Sequence, residues 1–396
     1  MSIAKEHPRF SREEYDRRYR EIRRRMREKG IDVLIIYGDS GSHNGDNANI
    51  KYVSNYQDPV NSFVVFPLEG EPSLHISNRL YLPYAKLASI LPMTDAVDYD
   101  PGGSVERRIR ELGLEKGTIG LVGLRGILYG SLPSGPVDYW RKALLSASFV
   151  DATDILGEVR LIKSKEEISW FRKGAAFTDM AFEALEKKGK VGMTDAQLAG
   201  IIVSGYMPKG GGIRLIFIGS TSMTKPHLIF PCQSPSHRKV RKGDIILTEL
   251  SGAYEMYSGQ GHRPVAVGVS PTPIYQKMFD VAVEAYTRIL KTLKPGTAPA
   301  EIKKAASVIQ DEGFTTFDVT MHGWGLQIEP QRVDIDAAMI RRPMIDFVVQ
   351  EGMLLVVQPN VVTPDGKRGL QVGNLVEITR TGARALQKFP LKFIRI

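Results

Sequence analysis

The spacing of apolar residues predicts an amphipathic helix close to the start of the chain. Ser11 and Glu14 have the spacing of a capping box, and Gly30 marks the end of the helical pattern. The predicted buried face consists of four residues at helical spacing: Tyr15, Tyr19, Ile22 and Met26. Continuous apolar runs then predict buried strands at 32–38, 63–67, 119–122 and 149–151. Strands that alternate with helices in this way indicate an α/β domain.

A second pattern, in residues 242–268, combines β-rich runs with polar residues. Strands are predicted at 244–250 and 263–267, and the glycines and serines between them predict a loose return. Four polar residues interrupt the apolar runs: Thr248, Glu249, Gln260 and His262. Residues two apart on a strand share a face, so these side chains could converge on one cavity. The alternative is a hairpin with one solvated face.

Composition limits the class of protein. The chain has 396 residues, 42% of them hydrophobic, which is enough for two folded domains. No apolar run approaches the roughly 20 residues of a membrane span, and no signal-peptide pattern is visible, so we expect a cytoplasmic protein with no membrane partner. The single cysteine excludes an internal disulfide and fits a reducing compartment.

The net charge of +9 raises the question of a nucleic-acid partner. Much of the charge lies in one run, RRYREIRRRMREK, on the polar face of the first helix. No aromatic or glycine-rich pattern accompanies this run, so we interpret the arginines as a solvated face and expect no nucleic-acid binding.

The stretch from Gly243 to Arg263 resembles the signature hairpin of the creatinase and aminopeptidase P family, the "pita-bread" enzymes. In that pattern two Asp residues bind a pair of metal ions. Glu249 stands at the first of these positions and Gln260 at the second. A neutral amide is a poor replacement for a carboxylate that bridges metals.

Two further stretches resemble the remaining ligand motifs. In MHGWGLQIEP, His322 keeps the first histidine of the family pattern, and Glu329 replaces the second. Near the C-terminus, Gln358 replaces the glutamate before proline, and Gly373 falls at the last ligand position. The resemblance therefore implies a metal-independent member of the family, similar to creatinase and ectoine hydrolase, with no cofactor.

The same resemblance predicts the domain organisation. Residues 49–56 resemble the family's N-terminal domain, and residues 160–172 resemble its interdomain passage, where Ser164 and Glu167 form a capping box. We expect an α/β protein with a creatinase-like N-terminal domain at 1–157 and a pita-bread catalytic domain at 158–396. The resemblance also implies a homodimer.

The function favoured by these residues is hydrolysis of an amide or amidine C–N bond in a small molecule, without metal. The candidate catalytic residues are His322, His262, Glu249, Glu329 and Cys232. The candidate substrate-binding residues are His227, Gln260, Gln358 and Arg332. Cys232 falls where relatives have a catalytic histidine, and it is either a nucleophile or inert packing, with water as the nucleophile in the second case.

Two other functions stay open. One is an Xaa-Pro metallopeptidase whose metal site departs from the usual ligand set. The other is a non-catalytic binding protein, although buried titratable groups favour an enzyme.

Overall fold

The computed structural model describes residues 7–39, 47–57, 60–96, 101–125, 132–335 and 346–396. The chain forms two compact units. The first contains Met1–Leu161 with Leu326–Ile328, and the second contains Ile162–Gly325 with Glu329–Ile396.

The first unit is a mixed six-stranded sheet with helices. Its strands are β1 Val33–Asp39, β2 Asn61–Pro67, β3 Ser73–Ile76, β4 Met93–Ala96, β5 Thr118–Val122 and β6 Ser148–Asp151. Its helices are α1 Arg12–Glu28, α2 Ala48–Ser54, α3 Leu82–Ala88, α4 Pro101–Glu111, α5 Ser134–Ala143 and α6 Thr153–Leu161, with a 3₁₀ turn at Arg79–Tyr81. The strand order is β4-β3-β2-β1-β5-β6, so β4 is an edge strand.

The predicted first helix is confirmed, with one correction. Ser11 caps α1 by accepting a hydrogen bond from the Glu14 backbone N–H, and the four predicted apolar residues are buried. Glu14 does not complete a capping box, because its carboxylate binds Arg17 and Arg18. The prediction that all the arginines of this helix are solvated is wrong for Arg18. This side chain is fully buried, and its guanidinium lies 4.1 Å from the Tyr52 ring centroid.

The second unit contains a ten-stranded sheet flanked by helices. Its strands are β7 Gly212–Ser222, β8 Asp244–Tyr254, β9 Tyr257–His262, β10 Val265–Ala266, β11 Met321–Trp324, β12 Ile328–Val333, β13 Leu354–Val357, β14 Asn360–Val362, β15 Gly369–Gln371, β16 Gly373–Thr379, β17 Gly382–Ala385 and β18 Ile394–Arg395. Its helices are α7 Lys165–Lys188, α8 Asp195–Tyr206, α9 Pro273–Thr292, α10 Pro299–Ala306 and α11 Val308–Asp311, with a 3₁₀ turn at Met207–Lys209.

The large sheet has the order β12-β11-β13-β16-β9-β8-β10-β18, with β7 paired to β8 and β17 paired to β16. Strands β14 and β15 form a separate pair. The fold class predicted from the sequence, α/β in two parts, is confirmed.

The loose return predicted between the two strands of residues 242–268 is wrong. Strand β8 continues to Tyr254 and pairs with Tyr257 across a two-residue turn, Glu255 and Met256, which both have positive φ. The serines and glycines that looked like loop residues lie on paired strands. Gln260 is therefore held on a strand, which fixes the direction of its side chain.

Close packing of α7 explains those glycines. A Cβ at Gly252 would lie 2.7 Å from the Phe177 Cβ, and one at Gly259 would overlap the Ala175 backbone. Ser164 and Glu167 form the predicted capping box at the start of α7. Among the described residues, no helix is both long and apolar enough to cross a membrane.

Candidate active site

Two neighbouring strands provide the first half of a buried polar cluster in the second unit. Glu249 lies on β8, Gln260 and His262 lie on β9, and each has at most 8% of its surface exposed. Gln260 Nε2 donates a hydrogen bond to Glu249 Oε1. His262 Nε2 lies 3.5 Å from Gln260 Nε2 and 3.9 Å from Glu249 Oε2. The three side chains thus converge on one point.

The second half comes from β11, from the residue after β13 and from the segment before β11. His322 on β11 pairs in register with Val356, two residues before Gln358. Gln358 Oε1 lies 3.5 Å from Gln260 Nε2, which joins the two halves. Gln358 Nε2 donates to Asp318 Oδ2 at 3.2 Å. We call Glu249, Gln260, His262, Asp318, His322 and Gln358 the polar cluster.

Burial sets the protonation state of Glu249. Removal from water, and next the charge of Asp318, raise the pKa of Glu249 to about 8, although the hydrogen bond from Gln260 acts in the opposite direction. The carboxyl group is therefore mostly protonated at neutral pH. A protonated carboxyl group can donate a proton, which an ionised one cannot.

The two imidazoles of the cluster are neutral. Burial lowers the pKa of His322. Burial is also the largest cause that lowers the pKa of His262 well below its ordinary value, and the charge that His322 would carry is the next. His322 Nδ1 lies 3.0 Å from the carbonyl oxygen of Gly323. A carbonyl only accepts, so Nδ1 carries the hydrogen and Nε2 keeps its lone pair. His322 Nε2 is thus a basic atom in the cluster.

Asp318 is the member of the cluster that the sequence analysis missed. Its backbone N–H and that of Phe317 donate to Asn360 Oδ1 at 3.0 and 2.6 Å, and Asn360 Nδ2 donates back to the Asp318 carbonyl at 2.8 Å. These bonds fix a half-buried carboxylate beside Glu249 and His322. The signal in the sequence is one acidic residue between Phe317 and Val319, shortly before the histidine motif.

Glu329, a predicted catalytic residue, lies on β12, the strand next to β11, and forms a buried ion pair. Lys163 Nζ is 2.5 Å from Glu329 Oε1, and both side chains are at most 5% exposed. In this geometry Glu329 neutralises the buried positive charge of Lys163.

His227 and Cys232 are placed on the segment that follows β7. His227 Nδ1 is 2.9 Å from Thr221 Oγ1, and Thr221 accepts the His227 backbone N–H at 2.8 Å. Cys232 is partly buried, and burial, with the charge of Asp195 as a smaller cause, raises the pKa of its thiol. Within the described part of the chain, no hydrogen bond joins either residue to the polar cluster. A thiol with a raised pKa is a weak nucleophile.

Arg332, the remaining predicted residue, lies on β12 and is half-buried. Its charge is among the causes that lower the pKa of His322, so the guanidinium lies near the cluster.

The family that the sequence resembles implies a pair of metal ions, and the donor set does not fit one. Gln260 and Gln358 turn amide N–H groups toward Glu249 and Asp318, where a pair of cations needs anionic oxygens. At Gly373 a Cβ would overlap the Val357 carbonyl and lie 2.9 Å from His262 Nδ1, so no carboxylate can be carried there. Among the described residues, no three His, Cys, Asp or Glu side chains are grouped to hold a metal.

Comparisons with known proteins agree with the fold. Residues 169–380 match the family described as "Metallopeptidase family M24", and residues 18–162 match the "Creatinase/Prolidase N-terminal domain". An Xaa-Pro dipeptidase of Pyrococcus horikoshii is 22% identical over 368 residues, which are 92% of this chain and 94% of that protein.

Solved structures match over almost the whole chain. The prolidase from Pyrococcus horikoshii OT3 aligns with a TM-score of 0.77 and 20% identity, and covers 95% of this chain and 99% of its own. The X-Pro aminopeptidase from Thermotoga maritima aligns with a TM-score of 0.79 and 20% identity, and covers 96% and 99%. At such identities these structures support the fold.

These relatives contradict the function favoured by the sequence analysis. A metal-independent hydrolase of the creatinase and ectoine hydrolase kind is wrong as the main prediction, because the relatives are named as Xaa-Pro dipeptidases and the matching family is one of metallopeptidases. The prediction took the reaction from the substituted ligand positions, whereas the similarity over the rest of the chain points to Xaa-Pro dipeptidases. The findings favour the Xaa-Pro peptidase that was left open as an alternative.

Proposed function

The chain belongs to metallopeptidase family M24, and we propose that it hydrolyses the amide bond ahead of proline in a small peptide, of which an Xaa-Pro dipeptide is the simplest. Membership of this family makes the chain a hydrolase of C–N bonds. The choice of an Xaa-Pro substrate rests on its relatives, which are named as dipeptidases of that kind.

The observation that carries the proposal is that Glu249 and His322 lie in one buried cluster, where burial raises the pKa of Glu249 to about 8 and His322 Nδ1 faces the Gly323 carbonyl oxygen, which leaves Nε2 to accept a proton. Amide hydrolysis needs a base to take a proton from the attacking water and an acid to give one to the leaving nitrogen. The nitrogen of an Xaa-Pro bond carries no hydrogen, so it leaves as a secondary amine only after it receives a proton. Both proton positions are supplied by residues of the cluster.

The proposed step balances in atoms and protons. Water attacks the scissile carbonyl carbon while His322 Nε2 takes one of its protons. Glu249 gives its proton to the proline nitrogen as the C–N bond breaks. The proton on His322 then returns to the Glu249 carboxylate, which restores the site. We assign the second N–H of Gln260 Nε2, whose first donates to Glu249, to the developing oxyanion.

Two charges near His322 match the two ends of a dipeptide. We assign the α-ammonium group of the substrate to the carboxylate of Asp318, and its α-carboxylate to the guanidinium of Arg332. Their opposite signs would fix the direction in which the peptide enters.

The donor set does not fit the metal pair of the family, so the step is written with this chain's own residues, and the assay below measures whether hydrolysis requires a metal ion. His227, Cys232 and Glu329 take no part in the step, and Glu329 forms an ion pair with Lys163. The homodimer and the domain boundary near residue 158 stay predictions.

The test is release of free proline from Gly-Pro, Ala-Pro and Leu-Pro, measured by chromatography. Each peptide is assayed in a chelator, in Mn²⁺, in Co²⁺ and in Zn²⁺, because the family is one of metallopeptidases. Gly-Ala, Ala-Ala and Leu-Ala are the matched controls, since they differ only at the second residue. We expect faster hydrolysis of each proline peptide than of its alanine counterpart.

A folded protein that releases no proline in any of these conditions would contradict the proposal. Equal rates on proline and alanine peptides would keep a dipeptidase but remove the assignment to proline.

A further inference from the structure

A pocket of about 530 Å³ lies in the first unit, whereas the polar cluster belongs to the second. It is bounded by β3, the edge strand β4, helix α4 and the end of α3. Its lining includes six polar or charged residues that carry the argument: His75, Ser73, Ser104, Lys86, Arg107 and Arg108. We call it the N-terminal pocket.

The floor of the N-terminal pocket is polar and uncharged. His75 is 3% exposed, and its two ring nitrogens lie 2.8 Å from Ser73 Oγ and 2.9 Å from Ser104 Oγ. Burial lowers the pKa of His75 to about 4, with opposing contributions from Asp95 and Arg108, so the ring is neutral at pH 7. In a neutral ring one nitrogen donates to a serine and the other accepts from one, so one serine hydroxyl keeps its hydrogen for an anion, and the ring carries no charge that would bind the anion itself.

The rim carries more positive charge than negative charge. Three cationic side chains line the pocket, Lys86, Arg107 and Arg108, against two carboxylates, Asp95 and Glu111. Arg108 Nη1 is 3.1 Å from Glu111, whereas Arg107 Nη1 is 3.8 Å from Asp95, which is beyond hydrogen-bond distance. Lys86 is exposed and has no carboxylate partner among the described residues.

Arg108 is the most buried of the three cationic side chains of the pocket. Its side chain is 15% exposed, and its Nε atom is buried without a hydrogen-bond partner in the described part of the chain. Because Nε is closed to the pocket, an anion there would meet the Nη groups of Arg108, and guanidinium groups bind oxyanions through such N–H groups.

We propose that the N-terminal pocket binds a small oxyanion, carrying a phosphate or a carboxylate group, through Arg108, Arg107 and Lys86. One serine hydroxyl group at the floor, the one that accepts from the His75 ring N–H, orients the anion. The site does not depend on the proposed peptidase activity, and nothing in the polar cluster is needed for it.

The experiment measures binding of inorganic phosphate and of acetate to the full-length chain. Melting temperature and isothermal titration are recorded with each probe, at an ionic strength held constant with sodium chloride. A ligand that binds only the folded state raises the melting temperature as its concentration exceeds the dissociation constant. A response to phosphate alone identifies a phosphate-bearing ligand, and a response to both probes identifies the wider oxyanion class.

The variants locate the binding. Arg108→Gln is expected to weaken binding at least tenfold. Arg110→Gln is the matched control, because Arg110 lies on the same helix, bonds to Glu106 and to the Ala143 carbonyl, and is not part of the lining. Lys86→Gln, at an exposed position where folding is not at risk, is expected to weaken binding severalfold. The NMR signals of the His75 ring should shift as phosphate is added.

The proposal is overturned if neither probe raises the melting temperature above that in chloride alone. It is also overturned if Arg108→Gln and Lys86→Gln bind the probes as tightly as Arg110→Gln, or if the His75 signals do not move at saturation.

Discussion

Buried histidines occur in both units, and their surroundings differ. In the first unit, His75 is satisfied by two serine hydroxyl groups, and the nearby charges lie at the rim of an open pocket. In the second unit, His262 and His322 share one enclosed cluster with Glu249, and amide groups link the members. Burial lowers the pKa of all three rings.

The difference shows that the neighbours of a buried histidine decide whether it can take part in proton transfer. Among the described residues, the ring nitrogens of His75 bond to serine hydroxyl groups, and its surroundings suit binding of an anion from solvent. His322 has a carboxyl group in the same cluster whose pKa is moved toward neutrality, which is typical of paired acid and base catalysts. The predictions below test this contrast, from the largest expected effect to the smallest.

The largest effect is expected from His322→Ala. Loss of a required base lowers the rate of proline release by about 10²- to 10⁴-fold. Cys232→Ser is the control, because the thiol has a raised pKa and makes no hydrogen bond to the cluster among the described residues, so turnover should hardly change. Rates are compared on one Xaa-Pro peptide for folded variants. An inactive Cys232→Ser enzyme, with a covalent substrate adduct seen by mass spectrometry, would make Cys232 the nucleophile.

Glu249→Gln should lower activity and yet raise stability at alkaline pH. The folded state holds a proton on Glu249 up to a pKa of about 8, whereas the unfolded carboxyl group loses it near 4.5. The unfolded state therefore binds fewer protons between these values, so the stability contributed by this group falls as pH rises from 4.5 to 8. Glutamine removes that loss, which is at most about 4 kcal/mol at pH 8. Chemical unfolding at pH 5 and pH 8 measures it.

Glu377→Gln is the control with the opposite sign. Burial raises the pKa of Glu377, but hydrogen bonds from Arg384 and Arg172 outweigh burial and leave the pKa lowered. Its contribution to stability is present above pH 4.5 and is lost as pH falls, so glutamine at this position should destabilise the protein at pH 8. If both variants change stability in the same direction at pH 8, the protonated state assigned to Glu249 is wrong.

Much of the fold was predictable because its patterns are local. The apolar spacing of α1 and the capping box at Ser164 depend on residues within a few positions of each other. The return between β8 and β9 was not predictable in this way, because the glycines there are required by close contact with α7, which is distant in sequence. Glycine in a strand and glycine in a turn look the same in one sequence.

The same limit applies to the site. Gln260 and His262 are two residues apart on one strand and share a face, and Glu249 lies on the neighbouring strand, so the convergence of the three could be foreseen. Asp318 could not, because its place depends on hydrogen bonds to Asn360 in another segment. The pairing of Glu329 with Lys163 also joins residues far apart in the chain.

His75→Gln tests the other side of the comparison. The folded pKa of about 4 lies below the ordinary value of 6.5, so the unfolded state binds more protons between these values. The stability that the neutral ring contributes is therefore lost as pH falls from 6.5 to 4, by about 3 kcal/mol. Glutamine does not titrate, so the variant should lose less stability over this range than the native protein. Unfolding midpoints at pH 7, 5.5 and 4 decide it, and parallel curves for the two proteins would contradict it.

The smallest effect is expected from Asp318→Asn, because it changes a charge and keeps the shape. Asparagine still accepts the hydrogen bond from Gln358, but it no longer attracts the α-ammonium group that we assign to Asp318. The loss of this ionic contact should raise KM for an Xaa-Pro dipeptide about tenfold. It also removes the charge that helps to raise the pKa of Glu249, so the alkaline limb of the rate profile should move to lower pH. Asp365→Asn, at an exposed turn where the carboxylate binds Thr363 and Lys367, should change neither quantity. A substrate with a blocked N-terminus separates the two effects, because its KM should not respond to Asp318→Asn while the pH profile still shifts. An unchanged KM for the free dipeptide would remove Asp318 from the binding of the substrate and leave it only an influence on Glu249.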